Sequence, residues 1–438
     1  MKKLYCLIMA MVIVSTVVFA SGSDEKSSQK SIAAFDSNAS YTVSMGCYGD
    51  LEKAYTEVFA SEDFKSKFPN VTIKFQTSDF NGHHSRLTTV IAAKEATNDI
   101  EALEVGYIAQ FVAGGGLTDL GVAPYDGFTV GKDLVGFAMS NATTAKGKLI
   151  ALPVDIAPAV LFYRKSLIEA AGLTVNDMEN IGSWEEYIEI GKKLTKDLDG
   201  DGTIDQYAIT HANDVAMVPL NGGKGGWLDA KGNPLEPRDK FFNALELVKR
   251  IRDAGIDGDM GAWTGPWVES FSNGETATMV NGAWFGGALK TWMAPDLSGD
   301  WRVAYLPGKT MAALGGTYLA IPEYVKEENK VVAWEIIKYL STSPVAQLIT
   351  FNTIDAYPAL TTVYSDPIMN EGVDYFGGQK VRKIYADVAE NIPSNIVSEY
   401  DAVILSIWNA TVTSVLTEEM TLEEGFEKAK SQVLATIL

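Results

Sequence analysis

Residues 41–105 read YTVSMGCYGDLEKAYTEVFASEDFKSKFPNVTIKFQTSDFNGHHSRLTTVIAAKEATNDIEALEV, and their periodicities settle the fold class. Tyr41 to Cys47 (YTVSMGC) alternates polar and apolar residues, the period of a strand with two unlike faces. Asp50 to Phe68 shifts to a helical period, with Leu51, Ala54, Tyr55, Val58 and Phe59 along one side, and Pro69-Asn70 breaks it. Val71 to Gln76 (VTIKFQ) is again a strand by alternation and β-branching. Ser85 to Lys94 predicts a second helix, and Ile100 to Val105 a third strand. A helical segment follows, closed by the turn Gly114-Gly115-Gly116. Strands alternating with helices predict an α/β fold with a mainly parallel sheet. Ligands on such sheets sit at the carboxyl ends of the strands. Gly46 to Asp50, Asp79 to His84 and Glu104 to Tyr107 are therefore expected on one rim.

Upstream, Lys2 and Lys3 precede an almost wholly apolar run from Leu4 to Phe19. Val18 and Ala20 then place small residues at the −3 and −1 positions of a cut before Ser21, so residues 1–20 read as a secretory signal peptide. The run is short for a membrane anchor, and Ser21 is not the Cys of a lipoprotein signal. Residues 21–40 are polar and Ser-rich and read as a flexible leader. After cleavage Cys47 is the only thiol, which rules out an intramolecular disulfide and fits a small buried residue. The 438-residue chain carries a net charge of −20, which becomes −22 without Lys2 and Lys3. An acidic body argues against nucleic acid and anionic membrane surfaces as partners. Its length suits two domains.

Further along, Ser183 precedes Trp184-Glu185-Glu186 as a capping box, Phe241 to Ala254 is amphipathic and ends at Gly255, and Trp334, Ile337 and Leu340 share one helix face. Thr421-Leu422-Glu423-Glu424 starts the last helix. Three of nine tryptophans fall within Ala262 to Phe285 (AWTGPWVESFSNGETATMVNGAWF), among Glu269, Glu275 and several glycines. A tryptophan presents a flat apolar face with a polar N–H on its rim. Several, mixed with carboxylates, suit a ligand with flat faces and a hydroxylated edge, such as a sugar ring.

The order of these landmarks resembles the extracellular solute-binding proteins of ABC importers, in the sugar-binding family that includes maltose-binding protein. The resemblance is carried by Phe80 to Ile91 with Asp99 to Leu120 (DIEALEVGYIAQFVAGGGLTDL), and by Ile150 to Gly172 (IALPVDIAPAVLFYRKSLIEAAG), similar to a first hinge crossing. Phe271 to Trp284 (FSNGETATMVNGAW) follows the family's Phe-x-x-Gly-x-x-Ala-Met-x-x-x-Gly-x-Trp pattern, with Thr278 as a one-residue insertion. Tyr305 to Pro322 (YLPGKTMAALGGTYLAIP) is similar to the return crossing. The resemblance implies a two-lobed, periplasmic-binding-protein-like fold of type II. Residues 41–153 with 313–355 would form the first lobe, and 154–312 with 356–438 the second. It further implies a monomeric receptor, periplasmic or otherwise extracytoplasmic, with the ligand in an interlobe cleft and the membrane subunits of an ABC importer as partner.

On the same resemblance Trp284 falls at the Gly-x-Trp position facing the cleft, and Asp155 lies just past the first crossing, where the family places a polar contact. Asp79, Glu104 and Asp355 are candidate acceptors for paired sugar hydroxyls, as carboxylates accept without competing donors. Tyr318 follows Gly315-Gly316, where the backbone can approach a ligand closely. Trp263, Trp267 and Trp227 would widen the aromatic platform, and His83-His84 is expected on an exposed loop.

Asp197 to Asp205 (DLDGDGTID) matches the first nine positions of an EF-hand-type loop, with Asp197, Asp199, Asp201, Thr203 and Asp205 as candidate calcium ligands. Position 12 is Ala208 rather than Glu, so a structural calcium ion competes with a plain acidic turn. The chain has no phosphate-binding Gly-x-x-x-x-Gly-Lys-Ser/Thr loop, no His-Glu-x-x-His and no Gly-x-Ser-x-Gly. A non-enzymatic receptor for a mono- or oligosaccharide is the leading reading, with no cofactor required. Acidic residues with aromatics also suit a polyamine or quaternary amine through cation–π contact. An exported glycoside hydrolase would need a carboxyl pair about 5–9 Å apart.

Overall fold

The computed structural model describes residues 34–229, 231–395 and 397–437. Residues 1–20, read above as a signal peptide, lie outside them, as does most of the segment 21–40 read as a leader. The end of the leader is not free: Phe35 packs on Tyr41 and Phe68 with ring centroids 5.5 Å apart in each case, and Asn70 donates to the Ser37 and Asn38 carbonyls. No helix among the described residues is long and apolar enough to cross a membrane.

Ten strands build two main sheets and a ribbon between them. They are β1 (Tyr41–Tyr48), β2 (Val71–Ser78), β3 (Ile100–Glu104), β4 (Leu152–Pro153), β5 (Asp155–Ile156), β6 (Ala159–Arg164), β7 (Thr278–Gly282), β8 (Trp301–Ala304), β9 (Thr317–Ala320) and β10 (Tyr357–Pro358). The first sheet runs β2-β1-β3-β9-β4 and the second β7-β6-β8, while β5 pairs with β10 alone. The expectation of a mainly parallel sheet is corrected. β1 is parallel to β2 and β3, but β9 inserts antiparallel between β3 and β4, and the second sheet is antiparallel throughout. The cause is topological: β9 returns from the second sheet and enters the first against the direction of its neighbours.

The chain crosses between the sheets through β4–β5–β6, again between β8 and β9, and a third time through β10. The crossings are bonded to one another. Val154 N–H donates to Thr317 O, Ala159 N–H to Ala312 O, and Leu314 N–H to Ala157 O. β6 is buried on both faces, which explains its unbroken apolar run. Val160 and Phe162 join the apolar core shared with the first sheet, and Ala159, Leu161 and Tyr163 the core beneath helices Arg238–Asp253, Asp401–Leu416 and Leu422–Ile437.

Several local expectations shift. Asp50 to Phe68 forms two helices, Leu51–Ala60 and Glu62–Lys67, because Ser61 is extended and its hydroxyl caps Phe64 N–H at 3.2 Å. The second helix spans Phe80–Ala92, starting five residues early at the Asp79 cap. Ser183 does cap its helix, but the Glu186 carboxylate returns to Gly182 N–H instead of Ser183, so the reciprocal half of the box is displaced by one residue. Gly255 ends its helix at φ 65° as expected, and Trp334, Ile337 and Leu340 are buried together. Cys47 is fully buried in β1.

Candidate functional site

The carboxyl ends of β1, β2 and β3 converge on one rim. Tyr48 ends β1, and its hydroxyl lies 2.9 Å from Thr317 Oγ1 at the start of β9. Glu104 ends β3 and caps the helix Val105–Gly114, accepting from Gly106 N–H at 2.7 Å through Oε2. Asp155, 8% exposed at the first crossing, accepts Thr317 N–H at 2.9 Å through Oδ1. Burial pushes Glu104 up to about 7, with the nearby Asp155 charge adding to the rise. Burial likewise pushes Asp155 up to about 6. Among the described residues no cation offsets either shift, so near neutral pH each carboxyl is protonated part of the time and can donate to a ligand as well as accept from it.

Histidines 83 and 84 correct the loop expectation. Both are fully buried on the helix Phe80–Ala92. His84 Nδ1 lies 2.7 Å from the Phe80 carbonyl, and Nε2 accepts Glu104 N–H at 3.0 Å, which fixes the neutral Nδ1–H tautomer. Burial holds its pKa down to about 4. His84 stacks on Tyr107 at 3.9 Å and 13°, and Phe80 and Tyr48 close the cluster at 4.8 and 5.0 Å. Asp79 is an exposed helix cap bonded to Gly82 N–H at 2.9 Å.

Across the crossings, Trp284 opens a short helix after β7 and donates its indole N–H to Leu314 O at 3.0 Å. Trp263, 61% exposed and held at φ 66°, lies nearly parallel to it at 5.7 Å and 17°. A Cβ on Gly315 would lie 3.2 Å from the Trp284 Nε1, so glycine there lets the return crossing approach the indole. Trp267 is a core residue, 1% exposed and edge-on to Phe271 and Phe285; it supports Trp263 from below and offers no face to a ligand. Trp227 stacks on Phe241 at 5.6 Å and lines an interlobe cavity of about 200 Å³ with Gly106, Asn141, Lys240, Gly315 and Asp401.

Two further candidates are placed differently from expectation. Tyr318 is buried in β9 between Leu103 and Pro153, behind the floor rather than on it, because the alternation of β9 turns Thr317 to the rim instead. Asp355 ends the helix Pro344–Ile354 in a left-handed conformation and is ion-paired with Lys290, so its charge is already matched. Phe80, Tyr107, Tyr48 and Thr317 were not singled out by residue type; the strand-end rule alone marked the segments containing the first three.

In the acidic loop, Asp197, Asp199 and Asp205 each offer a carboxylate oxygen, all within 4.8 Å of one another. Asp201 stands outside this group and accepts Thr203 N–H at 2.7 Å. Asp197 accepts from Gly200 and Gly202, which holds its carboxyl below the usual range. Three convergent hard oxygens suit a calcium ion in chemistry, though with fewer carboxylates than the spacing suggested.

Residues 60–376 match the family described as bacterial extracellular solute-binding protein. The arabinooligosaccharide-binding protein of Bacillus subtilis (strain 168) is 23% identical, with 99% of each chain covered. The lactose-binding protein of Rhizobium radiobacter is 26% identical over 60% of this chain and 62% of its own. Among solved structures, an ABC transporter associated binding protein from B. animalis subsp. lactis Bl-04 in complex with beta-1,6-galactobiose has a TM-score of 0.71 at 22% identity, covering 91% of this chain and 98% of the other. With a matched region spanning most of the chain and a two-lobed architecture built on three crossings, this protein belongs to the bacterial extracellular solute-binding protein family.

Proposed function

We propose that this protein is an exported, non-enzymatic receptor that captures a sugar in the cleft between its lobes and delivers it to the membrane subunits of an ABC importer. The lobes are residues 41–153 with 313–355, and 154–312 with 356–438. The observation that carries the reading is the pairing of two surfaces. The exposed Trp263, stacked on the partly buried Trp284, presents an aromatic face, while Glu104 and Asp155 supply carboxyl groups with no ion-pair partner among the described residues. Flat apolar faces beside carboxyl groups match a pyranose or furanose ring, whose faces are apolar and whose edge carries hydroxyls that donate and accept. Relatives named for arabinooligosaccharide and lactose binding support the same class. The acidic loop at Asp197, Asp199 and Asp205 offers three oxygen donors to a structural calcium ion, with a plain acidic turn as the alternative.

The test is a thermal-shift titration of the mature protein with arabino-, malto- and galacto-saccharides, with polyamines and betaine alongside. A ligand that binds only the folded state raises the melting temperature by mass action. A saturable rise with one sugar series, weakened by roughly 10- to 1000-fold in apparent affinity in Trp284→Ala, is expected. A rise confined to the amines overturns the sugar reading, and an affinity unchanged in Trp284→Ala removes Trp284 from the site.

A further inference from the structure

We propose that Arg252, clamped on Asp257 and Asp259, is the positioning residue that holds the segment 257–264 and through it sets the Trp263 ring parallel to Trp284. The inference rests on the sugar reading above and names what keeps its aromatic face in place.

Packing does not fix Trp263. A buried ring is held by the atoms around it, but Trp263 is 61% exposed, meeting Trp267 at 5.1 Å on one side and Trp284 at 5.7 Å on another. Its orientation therefore depends on its backbone. That backbone is strained, with φ 66° at Trp263 and φ 51° at Asp259. Such a conformation persists only where the surroundings over-determine it.

Arg252 supplies the restraint from the last turn of the helix Arg238–Asp253. Its Nε donates to both oxygens of the buried Asp257 at 3.1 and 3.0 Å, and its Nη2 donates to Asp259 Oδ1 at 2.5 Å. Asp257 also accepts Ala212 N–H at 2.9 Å. His211 Nδ1 accepts Asn213 N–H at 2.9 Å, which leaves the proton on Nε2, 3.1 Å from Asp259 Oδ1. The backbone follows the carboxylates: Gly258 N–H donates to Ile209 O at 3.1 Å and Met260 N–H to Thr210 O at 3.0 Å. Beyond Trp263, Thr264 donates to Gly261 O through its N–H at 3.3 Å and its hydroxyl at 2.8 Å, and caps the helix Gly265–Asn273.

Trp263 is thus bracketed on both sides. An Asp with a side chain 67% exposed is ordinarily left to water, and a lone surface ion pair does little. Here two donors from separate segments meet one carboxylate in a network, four residues before the ring. An aromatic face fixed before the ligand arrives loses little freedom on binding.

The test reads Trp263 directly, by fluorine NMR of the protein labelled with 5-fluorotryptophan. Trp263→Phe assigns its signal among the nine tryptophans. Arg252→Met removes the clamp. Asp259→Gly releases only its exposed end, since glycine keeps the positive φ and Asp257 keeps Arg252. The Trp263 signal is expected to shift or broaden in both variants, while Trp334 and Trp408, outside the stack, keep theirs. Should Arg252→Met, which strands the buried Asp257, fail to fold, Asp259→Gly decides the matter. In calorimetry with arabino-, malto- and β-1,6-galacto-oligosaccharides, Asp259→Gly is expected to weaken binding by roughly 3- to 10-fold, and to add no further loss to Trp263→Ala. A Trp263 signal unchanged in Asp259→Gly overturns the positioning role, as does an equal loss of affinity with and without Trp263. Binding of none of the sugars overturns the sugar reading, and the fluorine signals, which need no ligand, still decide the clamp.

Discussion

Glu104 shows how one residue is shaped by several elements. Its carboxylate caps a helix, its N–H is held by His84, and it faces Asp155 across the rim. Burial raises it from an ordinary 4.5 to about 7, and Asp155 from 3.8 to about 6. The folded chain thus holds protons that the unfolded chain has released. Stability from these groups is greatest in acid and is lost as pH rises through that window. The ligand-free protein is therefore expected to melt at a lower temperature at about pH 8 than at about pH 5, and Glu104→Gln to flatten the fall, since the amide cannot ionise. Identical slopes for the two proteins in differential scanning calorimetry would mean that Glu104 titrates normally. The same residue scale corrects Trp267 and Asp355: both types suit a ligand, yet one fills the core and the other is matched by Lys290.

At the scale of elements, short-range signals were read well where the chain supplies its own partner. The Ser183 cap and the Gly255 stop need only neighbouring backbone. The break at Ser61 and the early start at Asp79 rest on caps just as local, but the helical periodicity runs on through Ser61, and Phe80 to His84 lack an apolar stripe to mark the first turn. The loop Asp197 to Asp205 lies between these cases. Its spacing is visible in the sequence, while the structure gathers Asp197, Asp199 and Asp205 and leaves Asp201 aside. Bound calcium would stabilise the folded state by linkage. EDTA is expected to lower the melting temperature, with added calcium restoring it and Asp199→Ala removing the response. A melt indifferent to chelation and to added calcium would leave the loop a plain acidic turn.

For the whole molecule, three crossings bonded to one another join the two sheets, and hinging there would let the lobes approach through small backbone rotations. A solute gripped by Trp284 on one side and by the β1–β3 rim on the other bonds best when the lobes approach. Small-angle scattering is expected to give a smaller radius of gyration with a saturating sugar than without it. A neutral sugar should produce that change at low and at high salt alike, since screening acts on charge. An unchanged radius at saturation would argue for a rigid receptor.

The sequence by itself determined the α/β class, the core faces of the helices Leu51–Ala60 and Glu327–Thr342, and the rim where β1, β2 and β3 end. These follow from local periodicity and from a general property of such sheets. Tertiary structure decided the rest. The antiparallel insertion of β9 needs a strand from far along the chain, and no local pattern encodes its direction. His83 and His84 look polar in sequence, yet neighbours from other segments bury them and satisfy their nitrogens. Which aromatics face solvent is likewise decided by packing. Trp263 and Phe80 remain open while Trp267 is covered, because a ring's exposure depends on what the fold lays over it and not on its type.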